Sequence, residues 1–476
     1  MSHILLLEYK NEDIIEESII VIRGHLAPKC NSSRVKLNHK SVLLDQYKNF
    51  KHLVHLKNGR NKLTLSCGHI EHNFTIIFKE NYRSLYSVLP VAVYFSDSEI
   101  NCQLENSFSL VINLVQCFYR ETLLKEIKKT LSFKLFSSKC NSLKINLTTQ
   151  EARLMKKEDL WYFIKDFLAN YYQVDDSVIF LAILAHHEYK FIDKIPISFE
   201  EKLDRNPFYI NLGNKNLALI NSSCSYSWPR TVNELNDVFY NDRKVDLLFQ
   251  FDENHHHGSY SENLSSSIGS IAHELGHCFG LDHLERGIMN RGGDDAFRIF
   301  SLNCTECEEC LTEPYEIKIS QANLSYESLN FLPQQYEENN AQNICTTSCL
   351  CQSHFGEAFW SLPCSILLEN NRWMSRKLEQ LENNTGFIFT NTQIQSNCPI
   401  KSIQVRFCEN DVNAGITDMY HSFDRYIYRI EIFKRENNIR NIEIITYLPR
   451  NWDKPIKFVV SDFNGGIICK HIKSKK

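Results

Sequence analysis

The stretch "HELGHCFGLDH", His273 to His283, places three imidazoles and one carboxylate at fixed offsets. On a helix, His273 and His277 stand one turn apart, so both rings point the same way. That separation suits a single Zn²⁺ with bonds of about 2.0–2.1 Å to nitrogen. Gly280 can take a left-handed conformation, which lets the chain double back and bring His283 to the same ion as a third ligand. Three neutral nitrogens leave the fourth tetrahedral position to water, the open arrangement of a catalytic rather than a structural zinc. Glu274 is not needed as a ligand; it can take a proton from a water whose pKa the metal lowers to roughly 7. Cys278 lies about 100° round the helix from His277 and does not close the vacant position. The expectation is one catalytic zinc on His273, His277 and His283, with Glu274 as general base in hydrolysis at a carbonyl.

These side chains need a helix beneath them. Leu264, Ile268, Ile271, Ala272, Leu275 and Phe279 fall on one apolar stripe, and the serines of "NLSSSIGS" read as the helix start. Upstream, residues 86 to about 300 alternate strand and helix patterns. "LPVAVYF" and "SVIFLAILAHH" read as buried strands, and "SFSLVINLVQCFYRETLLKEI" and "EDLWYFIKDFLANYY" as helices. Residues 1 to 85 alternate apolar and polar positions between turn signals, the pattern of antiparallel strands in a small β-sandwich. Strand-like runs such as "IKSIQVRF" and "IKFVVSDF" return toward the end. The layout expected is α+β: an N-terminal β domain (1–85), a central domain (86–370) whose last part is rich in cysteine, and a C-terminal β domain (371–476).

The chain's 476 residues exceed what one core normally serves, which agrees with several units. A formal charge of −4 offers no large basic surface, so nucleic acid and anionic membranes are not expected partners. No apolar run reaches membrane-span length, and the start lacks a signal-peptide pattern. The expected setting is therefore cytoplasmic, with leaderless secretion as the alternative. There most of the 17 cysteines would be free thiols, and the sequon matches would be incidental.

HExxHxxGxxH is the signature of the metzincin clan of zinc endopeptidases, and "GIMN" places Met289 where that clan has its Met-turn. With "NLALINSSCSYSWPRTVNEL" before the motif and "HLERGIMNRGGDDAFRIF" across its end, residues 86 to 365 resemble a eukaryotic family of zinc metallopeptidases best represented in fungi. The resemblance implies a metzincin-like catalytic domain flanked by β domains, the last often lectin-like. It also implies zinc ligands at His273, His277 and His283, a base at Glu274, and a protein or peptide substrate. The chain departs from the family in a cysteine-rich insertion after Phe300.

Other features carry weaker chemistry. Cys304, Cys307 and Cys310, with Cys345, Cys349 and Cys351 further on, could hold a second, structural zinc. Leu217–Ser222 reads as an edge strand able to pair with an extended substrate, with Tyr226 and Trp228 lining the cleft. His255–His257 read as a solvated loop, and His354 and Glu357 as candidates for supporting the site. Arg291 and Arg298 are candidates for steadying an oxyanion. Two alternatives compete with the peptidase reading. One is a non-catalytic scaffold whose β domains bind carbohydrate or protein and whose zinc site is vestigial. The other is a DNA-associated protease, against which the charge balance argues.

Overall fold

The computed structural model describes residues 4–302, 358–374, 386–407 and 426–472, apart from short gaps at 7–8, 27–34, 39, 46–47, 69, 80–84, 255–257, 285, 391–392, 434–436, 449–455 and 464–466. The fold is mixed α+β, with five sheets among the described residues.

The N-terminal strands are β1 (Ile4–Leu6), β2 (Asp13–Ile15), β3 (Ile19–Leu26), β4 (Val35–Leu37), β5 (Lys40–Val42), β6 (Asn49–His55), β7 (Gly59–Cys67) and β8 (Ile70–Phe78). They form two sheets, ordered β1-β3-β6 and β2-β8-β7-β4-β5. Ile20, Ile22 and Phe50 of the first sheet share a buried core with Leu65, Phe74 and Ile76 of the second. Against the antiparallel pairing expected of these strands, β2 runs parallel to β8. A strand this short carries no sequence signal for its direction.

Beyond it come β9 (Ser87–Tyr94), α1 (Cys102–Ile127), β10 (Asn141–Lys144), α2 (Thr149–Leu154), α3 (Lys157–Tyr172), β11 (Val178–Leu184), α4 (Phe199–Asp204), β12 (Leu212–Asn214), β13 (Leu217–Asn221), α5 (Tyr260–Cys278) and α6 (Phe297–Phe300). The sheet order is β10-β9-β11-β13-β12, parallel throughout except for β12. Because side chains alternate across a strand, Ala92, Ile179, Leu181 and Ala218 face α1 and α5. Val91, Phe180, Ala182 and Leu219 face α3, where Trp161, Ile164 and Leu168 cover them. Both faces are covered, which is why β9 and β11 read as unbroken apolar runs. The outer face of β3 and β6 adds Ile19, Val21 and Leu53 to the α1 and α5 core. A buried cluster seals that junction, in which Arg120 of α1 donates to Tyr9 Oη at 2.7 Å and pairs with Glu121.

After α7 (Leu362–Glu369) come β14 (Phe387–Phe389), β15 (Gln393–Ser396), β16 (Ile400–Phe407), β17 (Tyr426–Ile432), β18 (Asn441–Glu443), β19 (Ile456–Asp462) and β20 (Ile467–Ile472). They make a three-stranded sheet, β14-β15-β18, and a four-stranded one, β17-β16-β19-β20, which enclose a common core around Ile403, Val405 and Phe458. No helix among the described residues is long and apolar enough to cross a membrane. Cys117, Cys224, Cys278 and Cys364 are buried free thiols, as expected. Cys67 is the departure, being disulfide-bonded.

Candidate metal centre

Helix α5 carries the site. It starts six residues before the serine run, at a capping box in which Ser259 and Glu262 satisfy each other's backbone N–H; such a cap contributes about 1 kcal/mol. Ser265, Ser266 and Ser267 lie buried within the helix, the last two bonded back to carbonyls one turn earlier. Ser267 Oγ donates to Asn263 O at 3.0 Å, and Ser265 Oγ reaches Asp294 O at 2.8 Å. The apolar stripe is where the spacing placed it, with Leu264, Ile268, Ile271, Ala272, Leu275 and Phe279 all in the core. Tyr119 Oη of α1 donates to the carbonyl of Ala272 at 2.7 Å, tying the helix down beside its first histidine. The helix ends at Cys278 with Phe279 as its cap, and Gly280, with φ +85°, turns the chain back.

The Nε2 atoms of His273, His277 and His283 stand 3.1 Å apart in all three pairs. His273 Nδ1 donates to the carbonyl of Ile288 at 2.7 Å, and His277 Nδ1 to that of Leu281 at 2.9 Å. Each of these rings spends its proton on a carbonyl and turns a bare Nε2 lone pair inward. Burial, with the neighbouring imidazoles adding to it, pushes His273 well below the ordinary value and His277 down to about 3, so both rings are neutral. Bare lone pairs in such contact repel unless a cation lies between them. For metal–nitrogen bonds of about 2.0–2.1 Å, a 3.1 Å separation corresponds to an angle of roughly 100° at the ion, close to tetrahedral. The donor set and its geometry fit Zn²⁺. Among the described residues these three are the one cluster of His, Cys, Asp or Glu able to hold an ion.

Glu274 is buried, and its Oε2 accepts from the backbone N–H of Gly213 at 2.5 Å. Burial raises its carboxyl to about 8, against the pull of that hydrogen bond and with the Glu253 charge adding. β12 lies so close to α5 that a Cβ at Gly213 would come within 2.0 Å of the Glu274 carbonyl oxygen. Met289 is buried under the helix, its Sδ within 2.7 Å of where a Cβ of Gly276 would stand. It therefore lies beneath the turn between the two helical histidines.

His273, Glu274, His277 and His283 open on a cleft with about 160 Å³ of enclosed space. Phe199, Tyr209, Asn211, Glu253 and Asp294 also line it, together with Ser270 of α5 itself. Glu253 Oε1 accepts from Tyr209 Oη at 2.9 Å, Asn211 Nδ2 at 2.6 Å and Ser270 Oγ at 2.9 Å, and burial raises its carboxyl. Ser270 shares the helix of the histidines, whereas Tyr209, Asn211 and Glu253 come from segments before it, with no spacing that ties them to the motif.

Several expectations are corrected. Leu217–Ser222 is not an edge. β13 is flanked by β11 and β12, and at the edge strand β12 the Leu212 carbonyl is taken by Trp161 and the Gly213 N–H by Glu274. Tyr226 and Trp228 do not line the cleft. Tyr226 Oη donates to Phe251 O at 2.9 Å, and Trp228 stacks on Phe108 in the core. Arg291 lines the cleft, whereas Arg298 pairs with Asp295 at 2.8 Å and lies outside the lining. His255–His257, His354, Glu357 and the cysteines at 304, 307, 310, 345, 349 and 351 lie outside the described residues.

Set against known proteins, the chain matches the family described as "Metallopep: Putative peptidase family" over residues 3–348. A stretch of 76 residues, 16% of the chain, is 33% identical to the "Putative zinc metalloproteinase YIL108W" of Saccharomyces cerevisiae and spans 11% of that protein. Wild-type OgpA from Akkermansia muciniphila superposes with a TM-score of 0.42 at 13% identity, over 82% of this chain and 93% of that one. Catalytically inactive OgpA, crystallised with an O-glycopeptide (glycodrosocin) substrate, gives 0.41 at 13%, over 82% and 92%.

Proposed function

Because the chain belongs to this peptidase family, matched across residues 3–348, we propose that it is a zinc-dependent endopeptidase with a metzincin-like catalytic unit. The observation that carries the reading is the Nε2 triangle of His273, His277 and His283, whose 3.1 Å sides call for a cation. A zinc ion held there would polarise the scissile carbonyl and acidify a water. Glu274, fixed by the Gly213 N–H, takes the proton of the attacking water and returns it to the departing amine. Its raised pKa suits a group that must carry a proton between two steps, and a dication beside it lowers that value again. The Ile288 and Leu281 carbonyls hold two rings in the tautomer that ligates. Met289 is the apolar floor below them. Arg291, on the cleft wall, is the candidate for steadying the developing oxyanion.

In layout, residues 86–370 are the peptidase unit, with β units at 1–85 and 371–476. The substrate is a protein or peptide laid along the cleft. The setting we infer is cytoplasmic, which the buried free thiols support and the Cys67 disulfide opposes.

The test is metal analysis with a peptide-library digest, wild type beside Glu274→Gln. The expected result is one zinc in each protein, with cleavage by the wild type alone. A zinc-loaded wild type that leaves every library intact and binds glycans instead would overturn the reading in favour of a scaffold.

A further inference from the structure

Strand β16 alternates apolar and polar residues, with Ile403 and Val405 on one face and Ser402, Gln404 and Arg406 on the other. The apolar half does face the C-terminal core. The polar half is not solvated, for Ser402, Gln404 and Arg406 are each 0% exposed. That face lies against the turn that carries the third histidine. Arg406 Nη1 reaches Asp282 Oδ2 at 3.2 Å, while its Nη2 donates to Gln404 Oε1 at 2.5 Å. Lys457 of the neighbouring strand β19 pairs with the other oxygen, Asp282 Oδ1. Asp282 immediately precedes His283.

Independent contacts seat the same face. Val459 of β19 joins the core built on α1 and α5, and Ile467 of β20 packs against that core. Ile467 also lies 3.9 Å from the position a Cβ of Gly280 would take. Gln404 Nε2 donates to Pro363 O at 2.9 Å, and Asn371 Nδ2 to Phe279 O at 2.7 Å. The turn 279–283 is therefore gripped at both ends, by apolar contact at Gly280 and by two cations at Asp282. Burying an arginine and a lysine on one carboxylate is expensive, and replacing them with apolar groups would often stabilise a protein. Global stability alone does not account for this choice.

The geometry points to Arg406, Lys457 and Asp282 as positioning residues of the metal site. In this arrangement the C-terminal sheet, more than 100 residues away in sequence, holds His283 in register with His273 and His277. The inference rests on the zinc reading above. A backbone held from Asp282 lets His283 meet the ion without ordering the turn on binding. Loosening that hold raises the entropic cost of coordination.

The experiment measures zinc release from the full-length protein to an excess of chromogenic chelator, together with melting of the metal-free form. Asp282→Asn and Lys457→Gln are expected to release zinc roughly 10–100-fold faster than wild type, and Lys457→Arg to restore the wild-type rate. Metal-free melting of Lys457→Gln and Lys457→Arg should agree, since a merely structural role would separate them. Arg406→Gln belongs to the series, but it takes the donor from the buried Gln404 Oε1, so the other variants decide if it does not fold. Wild-type release rates in both Asp282→Asn and Lys457→Gln overturn the inference while leaving the zinc site intact. A wild type that binds no zinc overturns the site itself.

Discussion

Gly213 and Glu274 meet backbone to carboxylate. The N–H of one donates to Oε2 of the other at 2.5 Å, and the strand lies so flat on the helix that no side chain fits between them. This one contact orients the proposed base and sets how closely the edge of the central sheet approaches the histidine helix.

Gly213→Ala tests that approach. The added Cβ must push β12 from α5, which costs about 1–3 kcal/mol as overpacking in a filled interior does, and it displaces the Glu274 carboxylate. Thermal melting should fall and peptide cleavage should drop further than the melting loss explains, with zinc content preserved. Unchanged cleavage in a correctly folded Ala variant would show that the contact does not orient the base.

Metal removal should act on stability as well as on activity. Zinc bound only by the folded chain stabilises it by about 2.7 kcal/mol at one hundred times its dissociation constant. Melting of the wild type should therefore rise with added zinc and fall with chelator, whereas His277→Ala should respond to neither. A melting temperature indifferent to zinc in the wild type would argue against binding at the three imidazoles.

The N-terminal sandwich carries its own acid sensitivity. His52 is buried, with Nε2 3.4 Å from Asn236 Nδ2, and burial, aided by the Lys40 charge, lowers its pKa to about 4. Below pH 6.5 the unfolded chain takes up a proton that the folded ring refuses, so stability falls with pH and levels off below about 4. The full loss is up to about 3 kcal/mol. His52→Gln should abolish this part of the slope, so wild type and variant should converge near pH 7.5 and separate near pH 5 in parallel melts. Stability curves that stay parallel across that window would contradict the assignment.

Met289 is placed as packing beneath the metal turn, not as a ligand. Met289→Ala should lose about 2–5 kcal/mol of stability. Met289→Leu, nearly equal in volume, should cost less than about 1.5 kcal/mol and keep its zinc. Loss of metal from a stable Leu variant would point to a role for sulfur that packing does not explain.

The histidine helix was legible because its chemistry and its secondary structure share one period: His273, His277 and the stripe from Leu264 to Phe279 all follow 3.6 residues per turn. β9 and β11 were legible as unbroken apolar runs for a similar reason. Tyr209, Asn211 and Glu253 were not, because folding alone brings them to the cleft. β12 is three residues long, too short for its pattern to mark it as the strand outside β13. Arg406 and Lys457 occupy the positions of a solvent-facing row, and only a neighbouring unit turns that row inward. Alternation shows that a strand has two faces, but not whether the polar one meets water.

The matched family region ends at residue 348 and includes all three imidazoles, yet Arg406 and Lys457 lie beyond it. A shortened protein cut at that limit would still show the signature in every alignment while lacking the salt-bridged clasp on its final turn. Poor metal retention by such a fragment would reflect the truncation and not the native protein, so affinity belongs to measurements that include residues 400–472.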